Sequence, residues 1–313
     1  MSEPLRVDVV MGGPGREAAV SRRSGVAIAR ALAARGHDVT TIDIAAALDV
    51  RQLRPGSIVF NIVHGTYGED GTLQRLLEQH GVPFVGSDSA ASALCMDKAA
   101  SKRRLQEAGL RVPWGIVIDL GAAAGEDLAE RLAGRGPLIM KPADDGSSVG
   151  LRLVEGACEA LDALPALRAE FGPRRYLIEE RLPGPEYTVA VIDDDRGPRA
   201  LPPLFIRPAG GVFDYDAKYH RHDTIEAPVE EAALARRLSA LALAAYRACG
   251  CRDLARIDIM AAADGELAVL ELNTLPGFTD ASLTPKAAAA AGISFADLVE
   301  HLVRRAAART APP

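Results

Sequence analysis

The sequence predicts an α/β protein that turns to α+β in its C-terminal part, and three observations carry that prediction. Over roughly the first 85 residues, short β-rich runs alternate with helical patterns, which is how a parallel sheet with helices on its faces is written. At 313 residues the chain exceeds one ordinary domain and suits two or three that share a cleft. Near the C-terminus, two alternating runs flank Asp264-Gly265, an antiparallel hairpin signal foreign to the first part.

The elements follow in order. RVDVVM (6–11) is a strand, AAVSRRSGVAIARALAARG a helix, HDVTTIDI and SIVFNIV strands, TLQRLLEQHG a helix and VPFVGS a further strand. Gly36 and Gly81 stand where these helices should stop. A second unit opens near Asp88 with one helix, SASALCMDKAASKRRLQEAG, then the strand VPWGIVI, a helix around EDLAERLAG and the strand PLIMKPA. A third unit begins at RYLIEERL, with strands at EYTVAVID and ALPPLFI, a helix around EEAALARRLSALALAAYRACG, two more strands and a closing helix. The expected domains are therefore 1–87, 88–175 and 176–313.

Composition excludes several classes of function. A net charge of -6 gives no electrostatic reason to expect nucleic acid or an anionic membrane surface. No apolar run approaches the roughly 20 residues of a bilayer span, and Arg6 and Asp8 interrupt the first short one, so a cytoplasmic protein acting on small molecules is expected. Cys95, Cys158, Cys249 and Cys251 lack CxxC spacing and read as free thiols in structural roles.

The stretch KPADDGSSVG (141–150) suits a phosphate chain, yet its lysine precedes the glycine and no helix follows, so it is not a P-loop. Asp144 and Asp145 within it read as solvated.

The hairpin LARIDIMAAADGELAVLELNTLPGFT (254–279) is more informative. A two-residue turn at Asp264-Gly265 would set Asp258 opposite Glu271 and Arg256 opposite Asn273. Alternation then projects Arg256, Asp258, Glu271 and Asn273 from one face and Ile257, Ile259, Leu270 and Leu272 from the other. Opposed carboxylates repel unless something sits between them. A hard cation such as Mg²⁺ takes that ligand set, two carboxylates and an amide oxygen, while the bland alternative is a solvated polar face. Arg256 beside it could neutralise a developing oxyanion.

With this loop and this face together, the sequence resembles the ATP-grasp enzymes, and more narrowly the D-alanine-D-alanine ligases. The resemblance runs through GGPGREAAVS (12–21), HGTYGEDGTLQ (64–74), GSDSAASALCMDKAASK (86–102), KPADDGSSVG, LIEERLPGPEYTVAV (177–191), FDYDAKY (213–219), RIDIM (256–260) and ELNTLPGFTDASLTP (271–285). It implies an ATP-grasp fold behind a Rossmann-like N-terminal domain. It also implies ATP as a substrate, two Mg²⁺ ions for which Mn²⁺ can substitute, and a homodimer paired through the N-terminal unit. The implied reaction joins two D-alanines through an acyl phosphate, for peptidoglycan precursor synthesis.

The site residues that the resemblance implies are these. Lys98, Lys141 and Ser148 serve the ATP phosphates, and Lys218 stays on the γ-phosphate during transfer. Glu179 faces the adenine amino group, the backbone from Glu180 to Leu182 meets the purine edge, and Glu186 accepts from the ribose. Glu17 pairs with the first ammonium and joins Ser147 and Tyr219 in a bridge that closes the lid. Arg256 and the Gly277 amide form the oxyanion site, Ser282 with the Leu283 backbone holds the second carboxylate, and His64 lies near the second substrate. Asp258, Glu271 and Asn273 are the metal ligands.

Two features depart from the family pattern: Ala18 and Ala19 replace charged or longer residues, and Pro14-Gly15 replaces a small polar pair. The retained Lys218-Tyr219 pair speaks for an amine acceptor rather than a lactate one. His220 and His222 lack a third ligand and read as solvated. Two rival readings stand beside the main one. An ATP-grasp ligase could join other small amino acids. GPGREA (13–18) after a strand also fits a dinucleotide fingerprint, with Asp38 or Asp43 as the ribose acid, which would make an NAD-linked oxidoreductase.

Overall fold

Strand β1 (Arg6–Gly12) is buried along nearly its whole length, and so is its one acid, Asp8. Asp8 is tolerated there because it accepts from the Arg54 amide (2.8 Å), Arg54 Nε (2.6 Å) and Ser57 Oγ (2.7 Å). Strands β2 (Asp38–Ile44) and β3 (Ile58–Asn61) flank β1 in parallel, in the order β2-β1-β3. Helix α1 (Ala18–Ala34) connects β1 to β2, a 3-10 turn at Val50–Gln52 lies between β2 and β3, and α2 (Thr72–Gln79) follows β3; Gly36 and Gly81 come after the two helices with φ of +84° and +63°. VPFVGS is not the strand expected: it contributes a single parallel bridge, Phe84 to Val59. This computed structural model describes residues 3–122, 126–146, 149–207, 224–279 and 281–309.

The second region opens on two helices where one was expected, α3 (Ser89–Met96) and α4 (Lys98–Glu107). Asp97 divides them with an extended ψ of 97°, and its Oδ1 accepts from the amides of Ala99 and Ala100, both at 3.0 Å. An aspartate satisfying two orphan N–H groups is a strong N-cap, which is why the helix restarts there. Then come β4 (Gly115–Asp119), α5 (Glu126–Leu132), β5 (Leu138–Pro142), β6 (Arg152–Val154), α6 (Ala157–Phe171) and β7 (Arg175–Glu180), with an antiparallel sheet in the order β4-β7-β5-β6. The sequence reading did not include α6, whose pattern is interrupted by Pro165. The expected boundary at 175/176 falls at the start of β7, which pairs with β4 and β5.

The third region holds β8 (Glu186–Asp194), β9 (Gly197–Ala200), β10 (Leu204–Arg207), β11 (Ile225–Pro228), α7 (Ala232–Ala248), β12 (Leu254–Ala261) and β13 (Leu267–Asn273). Its sheet runs β11-β10-β8-β12-β13, with β9 on β8. Two helices close the chain instead of one, α8 (Leu283–Ala290) and α9 (Phe295–Ala308), with Gly292 at φ +76° between them. Leu298, Val299 and Leu302 of α9 join Val7, Ile28, Leu32 and Phe60 in one buried cluster, so the end of the chain packs on the first sheet. Mixed α/β at the front and α+β behind is the expected fold class.

Candidate active site

The β12–β13 hairpin delivers the expected pairs, Arg256 opposite Asn273 and Asp258 opposite Glu271. It reaches them by another route. Ala262 N donates to Glu266 O at 2.8 Å, and Gly265 takes φ +78°, so the turn holds three residues rather than two. Next to the turn Ile259 therefore faces Val269, and a bulge between Asp258 and Ile259 restores the register with Leu270 as the extra residue. A bulge puts consecutive side chains on one side of the strand. Leu270, expected in the core with Ile257, Ile259 and Leu272, lines the cleft with Glu271 and Met260 instead.

On that face Arg256 donates to Asp258 twice, Nε to Oδ1 at 2.9 Å and Nη2 to Oδ2 at 2.8 Å. Thr188, the cross-strand neighbour on β8, gives its hydroxyl to the same Oδ1 at 2.6 Å. Glu271 Oε2 is 3.6 Å from Lys98 Nζ, and Asn273 Oδ1 accepts from Leu275 N at 3.1 Å. Two carboxylates and an amide oxygen on neighbouring positions are a donor set that fits a hard cation. Among the described residues no cluster of three or more His, Cys, Asp or Glu side chains is arranged for a metal, so any such site depends on Asn273 and on ligands from outside the protein.

Lys98 begins α4 and is largely buried; besides facing Glu271, its Nζ donates to the Asp145 carbonyl at 2.5 Å. Lys141, on β5, lies 2.5 Å from Glu179 Oε1, and Lys102 lies 2.7 Å from Glu179 Oε2. Burial alone would lower the Lys141 pKa, and the Glu179 and Glu271 carboxylates raise it above the ordinary lysine value. Residues 143–146 connect antiparallel β5 toward β6, with no helix following, as the sequence requires. Asp144 and Asp145 are not merely solvated. They share Arg174, at 2.9 and 3.2 Å, and Asp145 Oδ1 also accepts from Gly146 N at 2.9 Å. Ser147 and Ser148 lie outside the described residues.

A slot beside these lysines is lined by Ile139, Val149, Leu151, Met260 and Leu270, with Glu179 and Glu186 among its polar groups. The amides of Glu180 and Arg181 are already used, donating to Trp114 O and Pro137 O at 2.9 Å each, and Glu180 Oε1 accepts from Trp114 N. Of the expected purine-edge segment, the Leu182 amide is therefore the donor left to a ligand.

The neighbouring cavity is lined by Glu17, His64, Glu69, Arg256, Asn273 and Gly277. Glu17 sits at the N-cap of α1, its Oε2 directed at Gly65 and Gly146. His64 is buried and its Nδ1 lies 3.1 Å from Glu69 Oε1. Burial would lower the His64 pKa, and Glu69 overcomes it and raises the pKa above the ordinary histidine value. Ser282 stands at the N-cap position of α8 without capping it through its side chain, and its Oγ accepts from Thr279 N at 3.0 Å; Leu283, the first residue of α8, is buried. A Cβ on Gly277 would stand 2.9 Å from Ser282 Oγ, so glycine is what lets the two approach. Lys218, Tyr219, His220 and His222 lie outside the described residues.

Lys98, Gly146 and Glu271 line both cavities, which therefore meet at an expected phosphate lysine, the expected phosphate loop and an expected metal ligand. Lys102, Glu69 and Thr188, which contact the expected site residues Glu179, His64 and Asp258, were not singled out from the sequence, although each lies inside a quoted motif. A lysine one turn after another on a helix reads as solvent-facing, and a threonine mid-strand carries no chemical signal of its own.

The dinucleotide alternative finds its acids engaged: Asp38 pairs with Arg54 at 2.7 Å and Arg6 at 3.3 Å, and Asp43 with Arg22 at 2.7 Å. All four cysteines are free thiols, three buried and Cys158 exposed. Among the described residues no helix is long and apolar enough to cross a membrane.

The family described as D-ala D-ala ligase C-terminus matches residues 79–304, and its N-terminal counterpart matches residues 48–87. A D-alanine–D-alanine ligase of Desulforudis audaxviator is 44% identical over 97% of this chain and 99% of its own length. The ligase of Marinobacter nauticus is 42% identical over 96% and 90%. Among solved structures, the Bacillus anthracis D-alanine–D-alanine ligase complexed with ATP superposes with a TM-score of 0.83 at 31% identity, covering 97% of this chain and 98% of that one. The VanG D-Ala:D-Ser ligase of Enterococcus faecalis gives 0.84 at 27% identity, covering 97% and 100%.

Proposed function

Because the chain belongs to the D-alanine–D-alanine ligase family, we propose that it joins two D-alanine molecules at the expense of ATP, forming D-alanyl-D-alanine, ADP and phosphate. One observation carries the mechanism: a nucleotide-sized slot and a cavity rich in paired charges meet at Lys98, Gly146 and Glu271. A γ-phosphate at that junction lies within reach of an amino-acid carboxylate on the other side.

The first D-alanine would place its ammonium at Glu17 and its carboxylate at the junction. A carboxylate oxygen attacks the γ-phosphorus, the bond to the β-phosphate oxygen breaks, and ADP leaves an acyl phosphate. Lys98 and Lys141 offset charge on the phosphates, with Ser148 and Lys218 assigned there by the resemblance. The second D-alanine, its carboxylate at Ser282 and the Leu283 backbone, attacks the acyl carbon through its free amine. The tetrahedral oxyanion is stabilised by Arg256 and the Gly277 amide, and phosphate departs as the peptide bond forms. His64 borders the cavity where that amine must lose its proton. Ser147 and Tyr219 complete the proposed bridge with Glu17.

Asp258, Glu271 and Asn273 would hold Mg²⁺ ions, or Mn²⁺ in their place. Bound there, such ions would screen the phosphate charges and orient the triphosphate. Arg256 and Lys98 place positive charge beside Asp258 and Glu271.

The chain would divide into domains 1–87, 88–175 and 176–313, work in the cytoplasm and form a homodimer paired through the N-terminal unit. Val26 on α1 is one of two large apolar side chains left exposed among the described residues, which supports that face. The decisive experiment incubates the protein with Mg-ATP and D-alanine, alone and with D-serine or D-lactate. Phosphate release and D-alanyl-D-alanine are expected. A mixed product formed in preference would instead establish a ligase for other acceptors, and a sedimentation mass of one chain would refute the dimer.

A further inference from the structure

Lys102 takes no part in the reaction as described, yet its side chain is only 8% exposed and its ammonium sits 2.7 Å from Glu179 Oε2. It stands one helical turn after Lys98 on α4, so both amines project from one helix face toward the cleft. The face is rigidly aimed. Asp97 caps the helix and pairs with Arg175 at 2.8 Å, while Lys98 N donates to Ala143 O at 2.8 Å.

Glu179 is thus shared by two lysines with different surroundings. Lys141 lines the nucleotide slot, so a triphosphate can draw it away, whereas Lys102 lies behind Glu179 and does not line the slot. With Lys141 on phosphate, Lys102 is the cation that remains on this carboxylate. Oε2 stays buried against Lys102, so Oε1, the oxygen that Lys141 would release, is the one left to accept from a base.

The consequence is chemical. A buried carboxylate with no cation beside it takes up a proton. Ionised, the group only accepts hydrogen bonds; protonated, it also donates. A 6-aminopurine presents a donor at that edge of the ring, and a 6-oxopurine presents an acceptor. We infer that Lys102 is a positioning residue for base selection, holding Glu179 as an acceptor-only carboxylate so that the slot takes adenine and refuses a 6-oxopurine. The inference rests on the reading of the slot as the nucleotide site. Burial by itself would raise the Glu179 pKa; the charge of Lys102 first, and of Lys141 second, brings it below the ordinary value.

The test compares ATP with ITP, whose bases differ at the 6-substituent and, with it, in the proton that N1 carries, in the unsubstituted protein and in Lys102→Met, Lys102→Gln and Lys102→Arg. The ratio of kcat/KM for ATP over ITP is expected to fall roughly tenfold to hundredfold in the Met and Gln variants, chiefly through KM. Lys102→Arg, which keeps a cation, should restore most of it. Equal losses on ATP and ITP would show a role in folding or packing only and overturn the inference. Calorimetry with ADP and IDP reads the same ratio without turnover, so it decides the matter in any variant too slow to assay. If the unsubstituted protein binds neither nucleotide, the reading of the slot itself falls; if it binds both with a ratio that Lys102 does not control, only the inference falls.

Discussion

Arg256 grips Asp258 with both arms of its guanidinium, at 2.9 and 2.8 Å, two positions away on the same strand. Only a planar fork makes that contact, so Lys at this position keeps the charge and loses the geometry. Arg256→Lys is expected to lower kcat by about a hundredfold to a thousandfold, the scale of losing an oxyanion donor, while the KM for ATP changes little. Steady-state ADP release measures both. A wild-type kcat would remove Arg256 from the oxyanion site.

Glu271 faces Lys98 across the junction of the two cavities. Glu271→Gln keeps the shape and removes one anionic ligand, so phosphate release should disappear while circular dichroism and melting temperature stay near those of the parent. Undiminished turnover would end the proposal that Glu271 binds a cation.

The His64 and Glu69 pair makes a pH prediction. Glu69 is the main group holding the His64 pKa above its ordinary value, so the charged imidazole contributes stability below the unfolded histidine pKa of about 6.5 and loses it as pH rises through the folded value; burial pushes the Glu69 carboxyl up as well, so the contribution fades again where Glu69 takes up a proton. In Glu69→Gln the largest opposition to burial is gone, only Glu17 and the Leu275 backbone still favour the charged ring, and the His64 pKa should fall from its parent value. Imidazole proton shifts in NMR titrations of the two proteins read this directly, and identical curves would refute the coupling.

Gly277 has ordinary φ, so Gly277→Ala acts through space rather than backbone strain: its Cβ would come within 2.9 Å of Ser282 Oγ. Displacing Ser282 should raise the KM for D-alanine at the acceptor subsite by roughly tenfold, since overpacking costs about 1–3 kcal/mol at a tight contact. Initial rates over a D-alanine series separate the two subsites. A rise confined to the KM for ATP would contradict the assignment.

Asp97→Ala removes the cap that divides α3 from α4 and the partner of Arg175. Loss of about 1–2 kcal/mol is expected from urea denaturation. Because Lys98 and Lys102 follow directly on α4, the KM for ATP should rise as well, and a change in stability alone would mean that the two lysines do not depend on the cap.

The hairpin shows how far the sequence could be read. Asp258 facing Glu271 was legible because turn chemistry and alternation both pointed there. The three-residue turn and the bulge were not, since each is a backbone choice that a short alternating run does not encode, and they offset one another at the functional end. Asp97 was invisible as a helix break because the residues on both sides of it form helix well. Lys102 and Glu69 were hidden for another reason: their roles depend on partners, Glu179 and His64, that only tertiary packing brings close.

The bulge at Leu270 has a pharmacological side. A compound occupying the slot lined by Ile139, Val149 and Met260 would touch Leu270, a residue that simple strand parity assigns to the hydrophobic interior. Libraries that choose cleft positions by alternation would leave it out. Half-buried against Leu182 and Ala268 while facing the slot, Leu270 offers a ligand an apolar contact beside the charged lysines.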